Sequence, residues 1–396
     1  MPLDGDCAGR RVGVIGTGFV ARHFVRELQR RADWRLAKVL TRRALDRVEG
    51  FPDGCLTESL EALLEAADIV FACTGDVPYM ARLAGRVLDA GRPLVTLEAE
   101  FQATLGSAFV GRGYLTEAEG DQPGSTARLA GEARQMGFRP LVYGNMKGFL
   151  NHTPTPDEMR HWAERQAISL PMVTAFTDGT KLQIEQCLIG NFEGADIVRE
   201  GLWGLATADL REAAEQLGAA ATRHGRALTD YIIAPGLPHG VFVVAEHDPG
   251  QAAALRYLKL GDGPYYALLQ PTVLVHLEVF RTLERVARGE PPLLHNTAAP
   301  LLSVAAVAKR DLAAGTRIAR GCGGFELRGT AVRIADRPDH LPIGLADNLR
   351  VRRRIAAGEV LTWDDVELAC HADLVALWRE IAAASAAASG TARASG

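Results

Sequence analysis

Asp178, Lys181 and Glu185 stand close together in the segment Phe176-Thr177-Asp178-Gly179-Thr180-Lys181-Leu182-Gln183-Ile184-Glu185. Read as the start of a helix, the spacing i, i+3, i+7 places all three on one face, while Gln183 points elsewhere. Apolar stretches at 172–176 and 182–189 flank them, so the face is expected to be partly buried. An unpaired buried charge is costly, which makes a clustered Asp, Lys and Glu either an internal ion network or a reaction site. The local alternative is an N-cap at Thr177 or Asp178 followed by an ordinary Lys181–Glu185 pair. A second lysine, Lys147, lies in Asn145-Met146-Lys147-Gly148-Phe149-Leu150-Asn151, directly after an expected strand. As a site, these residues suit chemistry at a carbonyl. Lys181 or Lys147 would stabilise a developing alkoxide and deliver its proton, helped by desolvation that lowers an ammonium pKa. Asp178 and Glu185 would orient the lysine or a divalent ion, Mg²⁺ or Mn²⁺. Glu98, Glu100 and Glu119 could join them, and each reads equally well as a surface acid.

Such a site needs a hydride source, and the beginning of the chain offers one. Arg11-Val12-Gly13-Val14-Ile15 reads as a strand, and Gly16-Thr17-Gly18-Phe19-Val20-Ala21 as the turn and helix start of a dinucleotide-binding unit. Gly16 serves the tight turn, Gly18 the close approach of the pyrophosphate, and Ala21 the packing of helix on strand. The pyrophosphate would sit on the positive end of a helix expected over 19–30. A nicotinamide site without the 2′-phosphate usually carries Asp or Glu some way after the glycines. Here the run 36–40 ends in Thr41-Arg42-Arg43, a hydroxyl and two guanidinium forks that suit a 2′-phosphate, so NADPH is expected, with two solvated arginines as the alternative. Thr74 and Gly75 close the strand 68–72 and would touch the nicotinamide ribose; a plain strand-terminating turn is the competing reading.

The positioning frame follows from the period of the apolar residues. Strands at 11–15, 36–40, 68–72, 94–97 and 140–143 alternate with helices near 19, 60, 79 and 126, an α/β doubly wound parallel sheet of Rossmann type over residues 1–144. Residues 145–300 follow as a second region, which carries Lys147 and the charged face at 178–185. Residues 301–381 form a small β-rich domain, in which 306–316 and 349–362 nearly repeat as a short alternating strand and a Gly turn. Its Gly321-Cys322-Gly323-Gly324 loop reads as a turn, since no lysine and helix follow as in a phosphate cradle. Ala, Ser and Gly dominate beyond 381, so 382–396 is expected to be a disordered tail.

The 396 residues, 47% of them hydrophobic, suffice for two or three domains. A formal net charge of −4 provides no field for nucleic acid. No apolar run has the length of a membrane span, and the first ten residues lack a signal-peptide core, so a cytoplasmic location is expected. The six cysteines form no CxxC pair and suit reduced thiols; His152, His161, Asp157 and Glu158 show no ligand spacing and read as helix-surface polar residues.

Across almost its whole length the chain resembles the homoserine-dehydrogenase-like oxidoreductases with a C-terminal SAF domain, which include reductoisomerase-like enzymes acting on 1-deoxy-D-xylulose 5-phosphate. The resemblance rests on the GTGFVA string, on Gly120-Asp121-Gln122-Pro123-Gly124, on the 145–151 and 178–185 segments, on Leu260-Gly261-Asp262-Gly263-Pro264-Tyr265-Tyr266, and on Leu341-Pro342-Ile343-Gly344-Leu345. It implies a nicotinamide-binding domain, an α+β catalytic domain over 145–300 that also mediates a homodimer or higher homo-oligomer, a SAF-like domain over 301–381, and catalytic roles at Lys147, Asp178, Lys181 and Glu185. One departure stands out: after Tyr265-Tyr266 an Arg-Pro followed closely by His is expected, and the chain has Gln270-Pro271-Thr272 with His276 later. The expected activity is hydride transfer between NADPH and a small polar keto or hydroxy compound. The alternatives are a metal-assisted reductoisomerase of a phosphorylated ketose and a non-catalytic NADPH sensor or carbohydrate-binding protein.

Overall fold

The computed structural model describes residues 9–368 and 371–394, with side chains through 388. The first layer grows from the alternation seen in the sequence. β1 (Arg10–Ile15), α1 (Phe19–Leu28), β2 (Trp34–Leu40), β3 (Leu56–Thr57), α2 (Leu60–Ala66), β4 (Ile69–Ala72), α3 (Val77–Asp89), β5 (Leu94–Thr96), α4 (Ala99–Leu105) and β6 (Leu115–Glu117) build a parallel sheet of order β3-β2-β1-β4-β5-β6. α1 shows why these helices pack: Ala21, Phe24, Val25 and Leu28 fall on one stripe and are all buried. The last strand is a correction. The segment 140–143 does not complete this sheet, and the three-residue β6 does, paired with β5 from Leu94↔Leu115 to Thr96↔Glu117.

After α5 (Gln122–Gln135), the segment at 140–143 belongs to the longer β7 (Arg139–Lys147), which starts a second sheet and carries Lys147 at its end. α6 (Pro156–Gln166), α7 (Leu170–Thr177) and α8 (Thr180–Glu193) follow, then β8 (Leu205–Ala206), α9 (Leu210–His224), β9 (Leu228–Ile233), β10 (Val241–Glu246), α10 (Ala252–Tyr257), β11 (Tyr265–Gln270) and α11 (Val279–Ala287). The sheet order is β11-β10-β7-β9-β8. α9 covers one face with Ala213, Ala214, Leu217 and Ala221, and α5 and α8 cover the other.

β12 (Leu302–Ala308) and β14 (Leu327–Arg333) pair antiparallel, while β13 (Arg317–Ile318), β15 (Leu349–Val351) and β16 (Val366–Leu368) form a small second sheet. The two near-repeats meet each other: Leu312 and Ile355 exchange hydrogen bonds, and at the Gly turns the Gly358 and Gly315 N–H groups donate to the Ala308 and Val351 carbonyls. α8 joins this module to the rest. Its Thr180 hydroxyl and Gln183 amide oxygen accept the N–H groups of Gly329 and Ala331, each at 2.8 Å, and Asn191 bonds both ways with Leu302. Gln183, off the charged face, thus satisfies the backbone of β14.

The tail expectation is also corrected. α12 (Ala372–Ala394) is helical through most of 382–396. Leu374, Trp378 and Ile381 bury one stripe against α3 and α4, and the Ser385 hydroxyl donates to the Pro300 carbonyl. Alanine has the highest intrinsic helix propensity, so a composition read as low complexity extends a helix once its first turns are anchored. Cys7 and Cys370 lie outside the described residues; Cys55, Cys73, Cys187 and Cys322 are free thiols.

Candidate active site

The segments that follow β5 and β6 and the first turns of α8 converge on one ammonium. Lys181, 9% exposed, lies 3.2 Å from Glu100, 3.1 Å from Asp121 and 4.0 Å from Glu185, its neighbour one turn on. Burial alone would lower the pKa of this lysine. The surrounding carboxylates of Asp121, Glu100, Glu185 and Glu117 outweigh burial and hold its pKa well above the ordinary value. This reverses the expectation of a lysine with a lowered pKa: Lys181 is a fixed positive charge.

Glu185 is wholly buried between two lysines. Lys147 lies 3.8 Å away on the side opposite Lys181, and the Asn145 amide donates to the same carboxylate at 2.9 Å. Burial first, then Asp121 and Glu100, push its pKa up to about 7 against the pull of Lys147 and Lys181. Lys147, Lys181 and Glu185 therefore meet as the sequence suggested.

Asp178 does not join them. Gly179, at φ +85°, breaks the chain between α7 and α8, so Asp178 precedes the helix and its expected place on the Lys181 face is lost. Its carboxylate instead pairs at 2.6 Å with the buried Lys309 at the end of β12, and accepts the Thr180 N–H at 2.8 Å. Lys309 in turn donates to the Gly324 carbonyl at 2.6 Å. His152, expected on a helix surface, lies before α6 and bonds the Asp178 carbonyl at 2.9 Å.

Of the acids read equally well as surface groups, Glu98 and Glu119 are buried and Glu100 is partly so. Glu98 is fully buried and accepts the N–H groups of Thr74 and Gly75, and burial raises its pKa to about 7. Glu117, at the end of β6, accepts the Thr96 hydroxyl and the Glu98 N–H, and burial holds it well above the carboxylate range. Glu119 faces Arg128 and Arg281. The position where an arginine was expected, Gln270, accepts a hydrogen bond from Arg128 of α5 at 2.5 Å. Asp121, Glu117 and Lys309 were missed as partners because they lie far from 181 or 178 in sequence; only the Gly120–Gly124 motif hinted at the first.

At the nucleotide end, Gly16 has φ +120°, and a Cβ there would come within 2.8 Å of the Cys73 carbonyl, so the turn requires glycine. Gly18 caps α1, whose first turn carries no acid and no side-chain cap; its amide groups are available to an anion. Phe19 and Val20 open that helix, and the Thr17 and Thr41 hydroxyls stand 3.5 Å apart. Arg42 is committed: it pairs with Asp76 at 2.7 Å and stacks on Tyr79 at 4.0 Å. The Arg43 guanidinium makes no ion pair among the described residues.

A cavity of about 340 Å³ connects the two ends, with Arg42, Arg43, Thr74, Gly75 and Lys181 in its wall; Lys147, Asp178, Glu185 and the Gly16–Val20 turn lie outside that wall. Among the described residues no three His, Cys, Asp or Glu side chains are grouped to hold a metal ion. Glu100 and Asp121, the nearest candidates, both face the Lys181 ammonium, which a divalent ion would have to displace. The donor set does not fit Mg²⁺ or Mn²⁺.

Residues 120–279 match the family model described as the catalytic domain of oxidoreductase DRL, and residues 303–367 match that of the SAF domain. The chain is an enzyme of the oxidoreductase class. Its catalytic domain is followed by a SAF domain. No curated protein matches it. Solved structures similar to it include UDP-N-acetylglucosamine 3-dehydrogenase from Acidithiobacillus ferrooxidans, at 14% identity and TM-score 0.41 over 72% of this chain and 92% of that one. An oxidoreductase from Agrobacterium radiobacter, in complex with NAD⁺, L-tartaric acid and magnesium, is 18% identical over 35% and 45%, with TM-score 0.29. Homoserine dehydrogenase from S. aureus is 12% identical over 46% and 51%, with TM-score 0.30. Likeness at this level carries no argument about substrate or cofactor.

Proposed function

We propose that the chain is an NADPH-dependent oxidoreductase that transfers hydride between the nicotinamide and a small polar keto or hydroxy compound, with Lys181 at the reacting oxygen. The observation that carries this reading is the buried Lys181 ammonium, kept charged by its carboxylates, in the wall of a cavity that reaches Thr74, Gly75 and Arg43. The Gly16–Gly18 turn and the amide groups of α1 suit the pyrophosphate, and Thr41 with the uncommitted Arg43 suits the 2′-phosphate. Bound there, the dinucleotide supplies the hydride.

Lys181 donates a hydrogen bond to the substrate carbonyl oxygen and stabilises the alkoxide as it forms. The alkoxide takes a proton from Lys181. Glu185, one helical turn behind and titrating near neutral pH, returns a proton to the lysine, and Lys147 compensates the carboxylate that remains. Asp121 and Glu100 fix the ammonium in place and make its charge independent of pH in the working range. Among the described residues the metal-assisted rearrangement finds no donor set.

The cofactor part is tested by titrating the protein with NADPH and NADH. NADPH is expected to bind about tenfold more tightly or better, and Arg43→Gln to remove most of that preference. Tighter binding of NADH by the wild type would overturn it.

A further inference from the structure

The SAF domain supplies a wall of the cavity that Lys181 lines. Arg320, Cys322, Ile343, Gly344 and Asp347 line the space from this domain, together with Thr74–Pro78 from the nucleotide-binding domain. The Gly321-Cys322-Gly323-Gly324 loop, which resembled no phosphate cradle, explains how the wall comes so near. Gly323 has φ +76°, and a Cβ there would lie 2.2 Å from the Pro171 carbonyl of α7, so only glycine lets the loop seat against α7. Asp347 pins the loop by accepting the Gly321 N–H at 2.7 Å. α7 completes the enclosure with Met172 and Phe176, large apolar side chains that remain partly exposed toward the space.

The charges in this enclosure are unequal in their commitments. Lys181 is held by Glu100 and Asp121, and Arg42 by Asp76. Arg43 and Arg320 make no ion pair within 4.0 Å among the described residues, and the Asp347 carboxylate, which accepts the Gly321 N–H, acts on Arg320 from beyond that distance. Arg43 lies at the end of β2, where the proposed 2′-phosphate falls. Arg320 lines the same cavity from the SAF side.

We propose that Arg320, carried by the SAF domain, binds an oxyanion of the substrate, a carboxylate or a phosphate, so that this domain sets substrate specificity as part of the active site. A guanidinium fork suits either group through paired, charge-assisted hydrogen bonds. The apolar faces of Met172, Phe176 and Ile343 leave room for a short carbon chain between that anion and the carbonyl at Lys181. The inference rests on the proposed hydride-transfer reading for the position of the reacting carbon, but its anion-binding part does not.

The test uses the full chain loaded with NADPH and titrated calorimetrically with malonate and, separately, with inorganic phosphate. At least one anion is expected to bind the wild type, and Arg320→Gln to weaken it about tenfold or more, with Arg320→Lys intermediate. Which probe binds tells carboxylate from phosphate. Arg320 is exposed, so the variant should keep its fold, seen as an NADPH affinity within about twofold of wild type. The proposal is overturned if neither anion binds, if Arg320→Gln binds them as wild type does, or if that variant loses NADPH affinity instead. Arg43→Gln separates the two readings: it should weaken NADPH and leave the anion unchanged. If it leaves NADPH unchanged too, the cofactor reading fails while the Arg320 result still stands.

Discussion

Glu98 makes the stability of this protein depend on pH in a direction opposite to that of most carboxylates. Its side chain is fully buried at the end of β5, and burial lifts its pKa from 4.5 to about 7 even though the N–H groups of Thr74 and Gly75 pull the other way. Between those values the folded protein holds a proton that the unfolded chain has released. Stability from this group is therefore complete below about pH 4.5 and is lost as pH rises through about 7. At 1.36 kcal/mol per decade the whole effect is about 3 kcal/mol. Glu185 and Asp230, raised by burial to about 7 and about 6, add slope of the same sign, so the informative quantity is a difference between two proteins. Urea unfolding of wild type and Glu98→Gln at a series of pH values from 5 to 8 isolates it. The neutral amide keeps the shape and does not titrate, so the variant should gain about 3 kcal/mol relative to wild type between the two ends. An unchanged pH dependence in Glu98→Gln would refute the reasoning.

Other expectations follow from the same packing. Lys309→Met leaves the Asp178 carboxylate buried without its counter-ion and should cost about 3–5 kcal/mol in chemical denaturation. Adding Asp178→Asn should recover more than half of that, and a single variant within about 1 kcal/mol of wild type would show that the pair is unimportant. Gly16→Ala forces a side chain against the Cys73 carbonyl at a left-handed backbone position; it should lower stability by about 1–3 kcal/mol and abolish NADPH binding, both readable in a thermal melt with and without the dinucleotide.

The parts of this fold that were legible in the sequence are those fixed by local rules. The glycine turn after β1, the stripe of α1 and the paired Gly turns of the SAF domain each lie within a short window of chain. β6 escaped notice because three residues carry no period of their own; only pairing with β5 makes Leu115–Glu117 a strand. α12 was hidden by composition, since nothing local says that Trp378 will find a buried slot.

The site divides along the same line. Lys181 and Glu185 are neighbours on one helix and could be read together, as could their proximity to an apolar face. Glu100 and Asp121 come to Lys181 from the ends of other elements, and it is they that keep its proton on. A local argument from desolvation predicted the opposite pKa because it left out Asp121 and read Glu100 equally well as a surface acid. Asp178 was misplaced by a single residue, Gly179, whose left-handed conformation ends one helix and starts the next in a new direction.

The central claim is that Lys181 stabilises the oxygen to or from whose carbon hydride moves. It is tested most directly by a single turnover of NADPH-loaded protein with a keto compound that the wild type reduces, followed as loss of the reduced nicotinamide absorbance. Lys181→Met should slow the hydride step by about a hundred- to a thousandfold while binding NADPH within about twofold of wild type. A Lys181→Met protein that oxidises NADPH at a rate within about tenfold of wild type would contradict the account.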